Sequence, residues 1–253
     1  MTVVKVRNIE LGSGIPKICV PIVASSEEEI LKKASEIRHS DADIVEWRID
    51  FYEDVFHTEQ LAALLEKVNT AISPLPLLMT FRTKKEGGAR EISTEQYVKL
   101  NIAAAESGYA DLIDVEIFSG DETVSKIITE AHKSGTKVIA SNHDFFKTPS
   151  QEEIVKRLCF MQDMGADIAK IAVMPQNRKD VLALLSATEE MTSEHTKTPV
   201  ITMSMSSAGV ISRMCGEVFG SCLTFGALGT ASAPGQMRVD DLSTVLQLVH
   251  KSL

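Results

Sequence analysis

Residues 137–175 read KVIASNHDFFKTPSQEEIVKRLCFMQDMGADIAKIAVMP and contain a strand, a helix and a second strand in succession. Apolar runs rich in β-branched residues lie near both ends, at residues 137–145 and 167–174, and each has the length of a buried strand. Between them, Ser150 is followed three residues later by Glu153, which is the capping-box signature of a helix N-terminus. This order predicts two parallel strands joined by a right-handed crossover.

The same alternation of strand and helix extends over the whole chain. Eight β-rich runs, separated by segments with helix signals, begin at Lys17, Asp43, Pro76, Asp111, Lys137, Asp167, Pro199 and Cys222. Successive strand–helix units of this number predict the α/β class and most simply a closed (β/α)8 TIM barrel, with an open doubly wound sheet as the alternative. Residues 2 to about 14 predict a small N-terminal β-hairpin that covers one end of the barrel.

Length and composition indicate a single catalytic domain over residues 1–253. The chain is 44% hydrophobic and 24% charged, as in ordinary globular proteins, and α/β barrels take about 200 to 250 residues as one domain. The net charge of −9 argues against general nucleic-acid binding. The four cysteines form no C-x-x-C pair, and neither a signal peptide nor an apolar run of membrane-spanning length is found. We therefore expect a reduced, cytoplasmic protein with no membrane segment.

Polar residues lie near the carboxyl ends of the predicted strands, which is where active sites of such barrels are found. Side chains alternate along a strand, so residues two apart point to the same face. Five of the runs thereby bring ionisable groups toward one mouth of the barrel. The candidates are Glu46, Arg48, Arg82, Glu86, Asp114, Glu116, His143 and Lys170, to which the seventh run adds Met203 and Met205.

Several of these side chains also have a purely structural interpretation. Glu46 and Arg48 share a face and suit an ordinary ion pair. Arg82 fits a solvated residue at the rim, and the two methionines fit core packing. A single histidine at a strand end, such as His143, is as often structural as catalytic. These alternatives stay open at the level of the residues alone.

Lys170 is the hardest of the candidates to explain as structure. Its same-face neighbours are Ile168 and Ala172, and an isolated ammonium buried among them would be very unfavourable. Either it pairs with a buried carboxylate such as Glu116, or burial and nearby positive charge hold it neutral. A neutral lysine attacks carbonyl carbon to form a Schiff base. His143, on the adjacent strand and titrating near neutrality, suits the base that the resulting iminium requires.

Other chemistries lack their sequence signatures. The chain contains no H-E-x-x-H motif, no Cys/His cluster with metal-ligand spacing, no G-x-S-x-G elbow and no phosphate-binding G-x-x-x-x-G-K-[ST] loop. The glycine-rich turn at residues 11–17 precedes the first strand, so it does not support a dinucleotide fold. We expect neither a metal nor a nucleotide cofactor.

Six runs together resemble one known family. They are VEWRID, TFRTKKEGG, SNHDFFKTPS, DIAKIAVMP, TMSMSSAGVISR and LTFGALGTASAPGQ, and in this order they extend over nearly the whole chain. They resemble the type I 3-dehydroquinate dehydratases, the Schiff-base enzymes of the shikimate pathway of aromatic amino-acid biosynthesis. The resemblance implies a (β/α)8 barrel, usually a homodimer, that converts 3-dehydroquinate to 3-dehydroshikimate by syn elimination of water, without cofactor or metal.

The resemblance also implies roles for single residues. Lys170 would form the Schiff base, His143 would transfer protons, and Glu86 would orient and tune that imidazole. Arg213 would bind the substrate carboxylate, and its positive charge with that of the other arginines would disfavour the ammonium form of Lys170. The predicted substrate-binding residues are Glu46, Arg48, Arg82, Met203, Met205, Arg213, and Ser232 and Gln236 of a loop that closes over the ligand.

Two other functions remain open from the sequence. A class I aldolase-type barrel also uses a strand lysine, but it cleaves a carbon–carbon bond in substrates that are usually phosphorylated. A non-catalytic barrel that only binds a hydroxy acid would need neither Lys170 nor His143. The polar set of Glu46, Arg48 and Arg82 disfavours the aldolase, and the presence of both catalytic candidates disfavours the binding protein.

Overall fold

The computed structural model describes residues 2–195, 197–229 and 233–253. The elements begin with an antiparallel hairpin of β1 (Val4–Val6) and β2 (Ile9–Leu11). The chain then forms β3 (Lys17–Ile22), α1 (Glu27–Arg38), β4 (Ile44–Arg48), α2 (Thr58–Ile72), β5 (Leu77–Thr80), α3 (Thr94–Glu106), β6 (Leu112–Glu116), α4 (Asp121–Lys133), β7 (Lys137–Asp144), α5 (Gln151–Asp163), β8 (Ile168–Val173) and α6 (Arg178–Ser193). It ends with β9 (Val200–Ser204), α7 (Ile211–Met214), α8 (Gly216–Phe219), β10 (Leu223–Ala227), β11 (Met237–Arg238) and α9 (Val239–His250).

Strands β3 to β10 form the barrel, and each lies inside one of the eight predicted runs. Neighbours from β3 to β9 pair in parallel, and β10 pairs in parallel with β3. The ring closes between β9 and β10 through the Val200–Ser221 bridge and a 2.9 Å bond from the Cys222 N–H to the Val200 carbonyl. The prediction of an α/β barrel with an N-terminal hairpin is confirmed. Strand β11, which pairs with β10, was not predicted.

The helices begin where the capping signals predict. The hydroxyls of Ser26, Ser93 and Ser150 each accept a hydrogen bond from the backbone N–H three residues later, at the starts of α1, α3 and α5. Each of these bonds satisfies one of the N–H groups that a helix start leaves without a partner. In the part of the chain that the structure describes, no helix combines the length and apolarity needed to cross a membrane.

The barrel interior begins with an apolar layer at the amino-terminal end. Seven strands each contribute one buried, inward-facing residue to this layer: Ile44, Leu78, Leu112, Ile139, Ile168, Ile201 and Leu223. Val4, Val6 and Leu11 of the hairpin belong to the same apolar cluster, so the hairpin covers this end as predicted. With this end closed, the carboxyl end is left as the access route to the interior.

Candidate active site

A cavity of about 610 Å³, counted with its opening to solvent, lies at the carboxyl end of the barrel. The polar lining of this cavity follows from the alternation of side chains along a strand. The next inward position lies two residues after each member of the apolar layer, and on five strands that position holds a polar residue. Ten predicted site residues line it: Glu46, Arg48, Arg82, Glu86, His143, Lys170, Met203, Met205, Arg213 and Gln236. Ser232 lies outside the described residues, so its predicted position is not tested.

Lys170 is buried and paired. Its Nζ lies 3.0 Å from Asp114 Oδ2 and 4.7 Å from the centre of the Phe225 ring. This is the first of the two arrangements expected for a buried lysine, but the partner is Asp114 and not Glu116. Glu116 is held elsewhere, because its carboxylate accepts bonds from Thr83 N at 2.8 Å and Thr83 Oγ1 at 2.7 Å. An ionised partner at this distance supplies the opposite charge that a buried ammonium group requires.

Arg82 connects three carboxylates at the centre of the site. Its guanidinium lies 2.8 Å from Asp114, 3.0 Å from Glu116 and 3.5 Å from Glu86. Only 3% of Arg82 is exposed, so the interpretation as a solvated rim residue is wrong. Burial lowers the pKa of Arg82, but the three carboxylates outweigh it and hold that pKa above its ordinary range. The positive charge of Arg82, one of the arginines expected to act on Lys170, is therefore compensated within the protein.

Asp114 is ionised by its surroundings. Burial raises the pKa of this carboxyl, but the charges of Arg82 and Lys170 outweigh burial and keep the pKa below its ordinary range. Ser141 Oγ also donates a hydrogen bond to the same carboxylate. A carboxylate with two cationic partners and a hydroxyl donor stays negative at neutral pH, and it holds both cations in fixed positions.

Glu86 holds His143 in one tautomer. Its Oε2 accepts bonds from His143 Nδ1 at 3.0 Å and from the His143 backbone N–H at 2.9 Å. An ionised carboxylate only accepts, so with Glu86 ionised Nδ1 carries the proton and Nε2 is the basic nitrogen. Burial, followed by the charges of Arg82 and Lys170, lowers the pKa of His143 well below its ordinary value. The imidazole is thus neutral at pH 7, and the expectation that it titrates near neutrality is wrong for the ligand-free protein.

The turn that carries Glu86 requires glycine at two positions. Gly87 has a φ of 83°, and a Cβ there would clash with the ring of Phe145. A Cβ on Gly88 would clash with the Arg82 carbonyl. Phe145 in turn stacks on the His143 imidazole, with ring centres 6.5 Å apart and planes 21° apart. The glycines allow the turn to lie against Phe145 and so bring Glu86 to the histidine.

Glu46 and Arg48 both line the cavity, and the alternative interpretation of them as an ion pair with each other is wrong. Glu46 accepts a 2.9 Å bond from Thr80 Oγ1. Arg48 instead makes a bidentate pair with Asp50, at 2.7 and 2.8 Å. The buried Asp50 also accepts a 2.9 Å bond from the backbone N–H of Ala89, which ties the Glu86 turn to the end of β4. Each of these polar groups is held in place while remaining at the cavity wall.

Arg213 has a different environment from Arg82, although it is 1% exposed. Its Nη2 donates to the Pro234 carbonyl at 3.2 Å, and its Nη1 lies 3.9 Å from Met203 Sδ. Its Nε has no hydrogen-bond partner, and within residues 2–195, 197–229 and 233–253 no carboxylate pairs with it. Burial lowers its pKa to about 10. This guanidinium is therefore a buried cation whose charge an anionic ligand would compensate.

The sequence did not assign three side chains to the site that the structure places at or beside it, namely Asp50, Asn142 and Phe225. Asp114 was recognised as a strand-end carboxylate, but its pairing with Lys170 was not predicted. Asp50 and Asn142 support Arg48 and Glu86, and Phe225 lies beneath the Lys170 ammonium. The alternation of side chains along β10 is a signal that could have found Phe225, because Leu223 and Phe225 are its inward-facing residues.

Comparisons with known proteins agree on one family. A family profile described as Type I 3-dehydroquinase matches residues 18–253. The 3-dehydroquinate dehydratase of Clostridioides difficile is 53% identical over 250 residues, which are 99% of this chain and 98% of that protein. That of Clostridium kluyveri is 54% identical over 249 residues, 98% of each chain. The crystal structure of the Clostridium difficile type I enzyme with covalent modified comenic acid has a TM-score of 0.97 and 52% identity, covering 100% of this chain and 99% of that chain.

Proposed function

Because the chain belongs to the type I 3-dehydroquinase family, we propose that it is a 3-dehydroquinate dehydratase. The reaction removes water from 3-dehydroquinate and yields 3-dehydroshikimate, so the enzyme is a hydro-lyase. The observation that carries the proposal is the buried pair of Lys170 and Asp114, 3.0 Å apart in a cavity that His143 also lines. A buried amine, a basic imidazole nitrogen and a ketone substrate are what Schiff-base catalysis requires.

The cavity matches the polar groups of the substrate, which carries one carboxylate, several hydroxyls and a ketone. Arg213 binds the carboxylate in this proposal, since no carboxylate in the described part of the chain pairs with it and its fork-shaped guanidinium suits bidentate contact. Glu46, Arg48 and Arg82 bind ring hydroxyls, and Met203 and Met205 form an apolar wall. Ser232 and Gln236 belong to a segment that closes over the bound ligand.

The first chemical steps take place at Lys170. Attack requires the neutral amine, so the ammonium first loses a proton, for which the neutral His143 is the acceptor. Nζ then adds to the ketone carbon, and the carbinolamine hydroxyl takes the proton back from His143 and leaves as water, which gives an iminium and a neutral imidazole. The iminium nitrogen carries the charge that the ammonium carried before. Asp114, held 3.0 Å from Nζ in the free enzyme, therefore keeps a cationic partner in the covalent intermediate.

The elimination follows from the electron demand of the iminium. His143 removes a proton from the adjacent carbon, and the electron pair moves to nitrogen to form an enamine. The enamine expels the hydroxyl at the β carbon, which leaves as water after taking a proton from His143. Hydrolysis of the new iminium consumes the water released when the Schiff base formed. One water is thus lost overall, and Glu86 keeps the imidazole in the required tautomer throughout.

Several further properties belong to this proposal. The described elements from β3 to β10 form one barrel with the hairpin at its amino-terminal end, which supports a single catalytic domain over residues 1–253. We propose a cytoplasmic homodimer in the shikimate pathway, acting on a small molecule and on neither nucleic acid nor membrane. The polar groups of the site form a complete set for acid–base and Schiff-base chemistry, so the proposed reaction uses no cofactor or metal.

The test is reductive trapping. 3-Dehydroquinate should produce a rise in enone absorbance, and borohydride added with substrate should inactivate the protein by fixing the ligand to Lys170, because an iminium is reducible and a non-covalent complex is not. Lys170→Ala should abolish both signals. Lys137→Ala is the matched control, since that half-buried lysine pairs with Asp167, a residue that does not line the cavity. A label on a peptide without Lys170, or carbon–carbon cleavage products, would contradict the proposal.

A further inference from the structure

A chain of side-chain hydrogen bonds connects Glu86 to a helix on the outside of the barrel. Asn142 Nδ2 donates to Glu86 Oε1 at 3.1 Å, and Asn142 Oδ1 accepts from Arg157 Nη1 at 3.0 Å. Arg157 lies on α5, where its Nε donates to Glu153 at 2.8 Å and its guanidinium lies 5.7 Å from the centre of the Phe118 ring. The contacts of the carboxylate are thereby divided: Oε1 accepts from Asn142, which the helix holds through Arg157, and Oε2 accepts from His143 and Arg82.

The chemistry of the partners fixes the orientation of the Asn142 amide. An arginine side chain has only donors, and an ionised carboxylate has only acceptors. The amide can satisfy both only with its oxygen toward Arg157 and its nitrogen toward Glu86. Without Arg157, the amide could turn and present its oxygen to the carboxylate, which would oppose the ionised form of Glu86. Arg157 therefore acts on Glu86 through the direction of one amide.

The ionised form of Glu86 is finely balanced, so one donor matters. Burial is the largest effect and raises the pKa of Glu86 to about 7, while Arg82 and the hydrogen bond from Asn142 oppose the rise and the charge of Glu116 adds to it. The charged and titratable groups that face Glu86 and His143 from the surrounding elements are Arg48 on β4, Arg82 after β5, Asp114 and Glu116 on β6, and Lys170 on β8. Ionised Glu86 holds the proton of His143 on Nδ1, which leaves Nε2 free as the base.

We propose that Asn142 and Arg157 are positioning residues for the elimination: Arg157 fixes the Asn142 amide, and that amide keeps Glu86 ionised and directed at His143. Neither residue touches the substrate, since neither lines the cavity described above. The inference rests on the proposed function in one respect, namely that His143 is the proton-transfer group. The hydrogen bonds themselves do not depend on that function.

The kinetic test compares Arg157→Gln and Asn142→Ala with Glu153→Gln. In the first two variants, the acid limb of the kcat profile should move to higher pH by about one unit, the size expected when a charged group loses one hydrogen bond. KM should stay near the parent value. Arg157→Lys keeps a side chain that only donates, so its acid limb should lie closer to that of the parent than the limb of Arg157→Gln does. Glu153→Gln breaks the ion pair on the same helix but leaves the contact between Arg157 and Asn142, so its profile should match that of the parent.

A second measurement does not depend on activity. The ring ¹⁵N shifts of His143 in the ligand-free protein report which ring nitrogen carries the proton. As the pH rises, the change from a mixed tautomer to protonated Nδ1 should occur at the same pH in the parent and in Glu153→Gln, and about one pH unit higher in Arg157→Gln. If the parent protein had no dehydratase activity, the proposed function would be wrong. The ring shifts would still test the positioning role, because they do not depend on activity. Overlapping ring shifts in folded Arg157→Gln and the parent, or an equal change in Glu153→Gln, would overturn the inference.

Discussion

Arg82 and Arg213 lie in the same cavity and are equally buried, yet their surroundings are opposite. Arg82 is surrounded by the carboxylate cluster, which we define as Glu86, Asp114 and Glu116. Among the residues that the structure describes, Arg213 contacts one carbonyl and one thioether, and its buried Nε has no partner. The pKa of the first is raised by its carboxylates and that of the second is lowered to about 10 by burial.

The difference distinguishes two uses of a buried cation. A charge that the protein itself compensates stabilises the positions of its partners, whereas an uncompensated charge is available for an anion that arrives later. The carboxylate cluster also binds Lys170 and, through Glu86, His143. One side of the cavity is therefore a finished internal network, and the side around Arg213 becomes electrostatically complete only with ligand.

The same substitution at both arginines should give the largest contrast. Arg82→Met leaves three buried carboxylates with one cation fewer, and breaking a buried pair in this way costs about 3–5 kcal/mol of the free energy of unfolding. Arg213→Met replaces an unpaired buried charge with an apolar side chain and should leave the free energy of unfolding unchanged or higher. Urea denaturation followed by the fluorescence of Trp47, the single tryptophan, measures both. Equal destabilisation by the two substitutions would remove the contrast.

The carboxylate cluster should also make stability depend on pH. The folded-state pKa of Glu86 is about 7 because of burial, above its ordinary value of 4.5. A carboxyl with a raised pKa stabilises the fold fully when protonated, below pH 4.5, and this contribution is lost as the pH rises through about 7. Between those values, the free energy of unfolding of the parent should fall by about 2–3 kcal/mol more than that of Glu86→Gln. If the free energy of unfolding depended on pH in the same way in parent and variant, ionisation of Glu86 would not destabilise the fold.

On the Arg213 side the expected effect is on binding. Hydrogen bonds to charged groups contribute about 1.5–3 kcal/mol each, and every 1.4 kcal/mol or so is a factor of ten in affinity. Arg213→Met should therefore raise the KM for 3-dehydroquinate at least about tenfold. Borohydride trapping at Lys170 should persist at high substrate concentration. An unchanged KM would show that the carboxylate is bound elsewhere, with Arg48 as the next candidate.

Met203 should give the smallest effect. Its Sδ lies 3.9 Å from Arg213 Nη1, and a thioether is a weak acceptor. Met203→Leu nearly conserves volume, so the free energy of unfolding should change by less than about 1.5 kcal/mol. KM should change by less than the tenfold expected for Arg213→Met. If the two variants lost affinity equally, the thioether and not the guanidinium would account for substrate recognition.

The alternation of runs in the sequence determined the class, parallel strands with helices packed on them, and made the barrel the simplest arrangement, whereas an open sheet was excluded only by the contact between β9 and β10. Strand parity likewise placed Glu46, His143 and Lys170 on one inner face, since side-chain direction along a strand is a local property. The glycines after Glu86 and the serine caps are local signals of the same kind.

Only the tertiary structure decided how these charges are paired. Asp114 and Glu116 have the same parity, but one contacts Lys170 and the other contacts Thr83. Arg82 and Arg213 are the same residue type, and their opposite environments depend on which strands and turns approach them. Partner choice and pKa values depend on distances between elements far apart in sequence. Local residue patterns do not specify those distances, because they arise only when the sheet closes and the turns pack against one another.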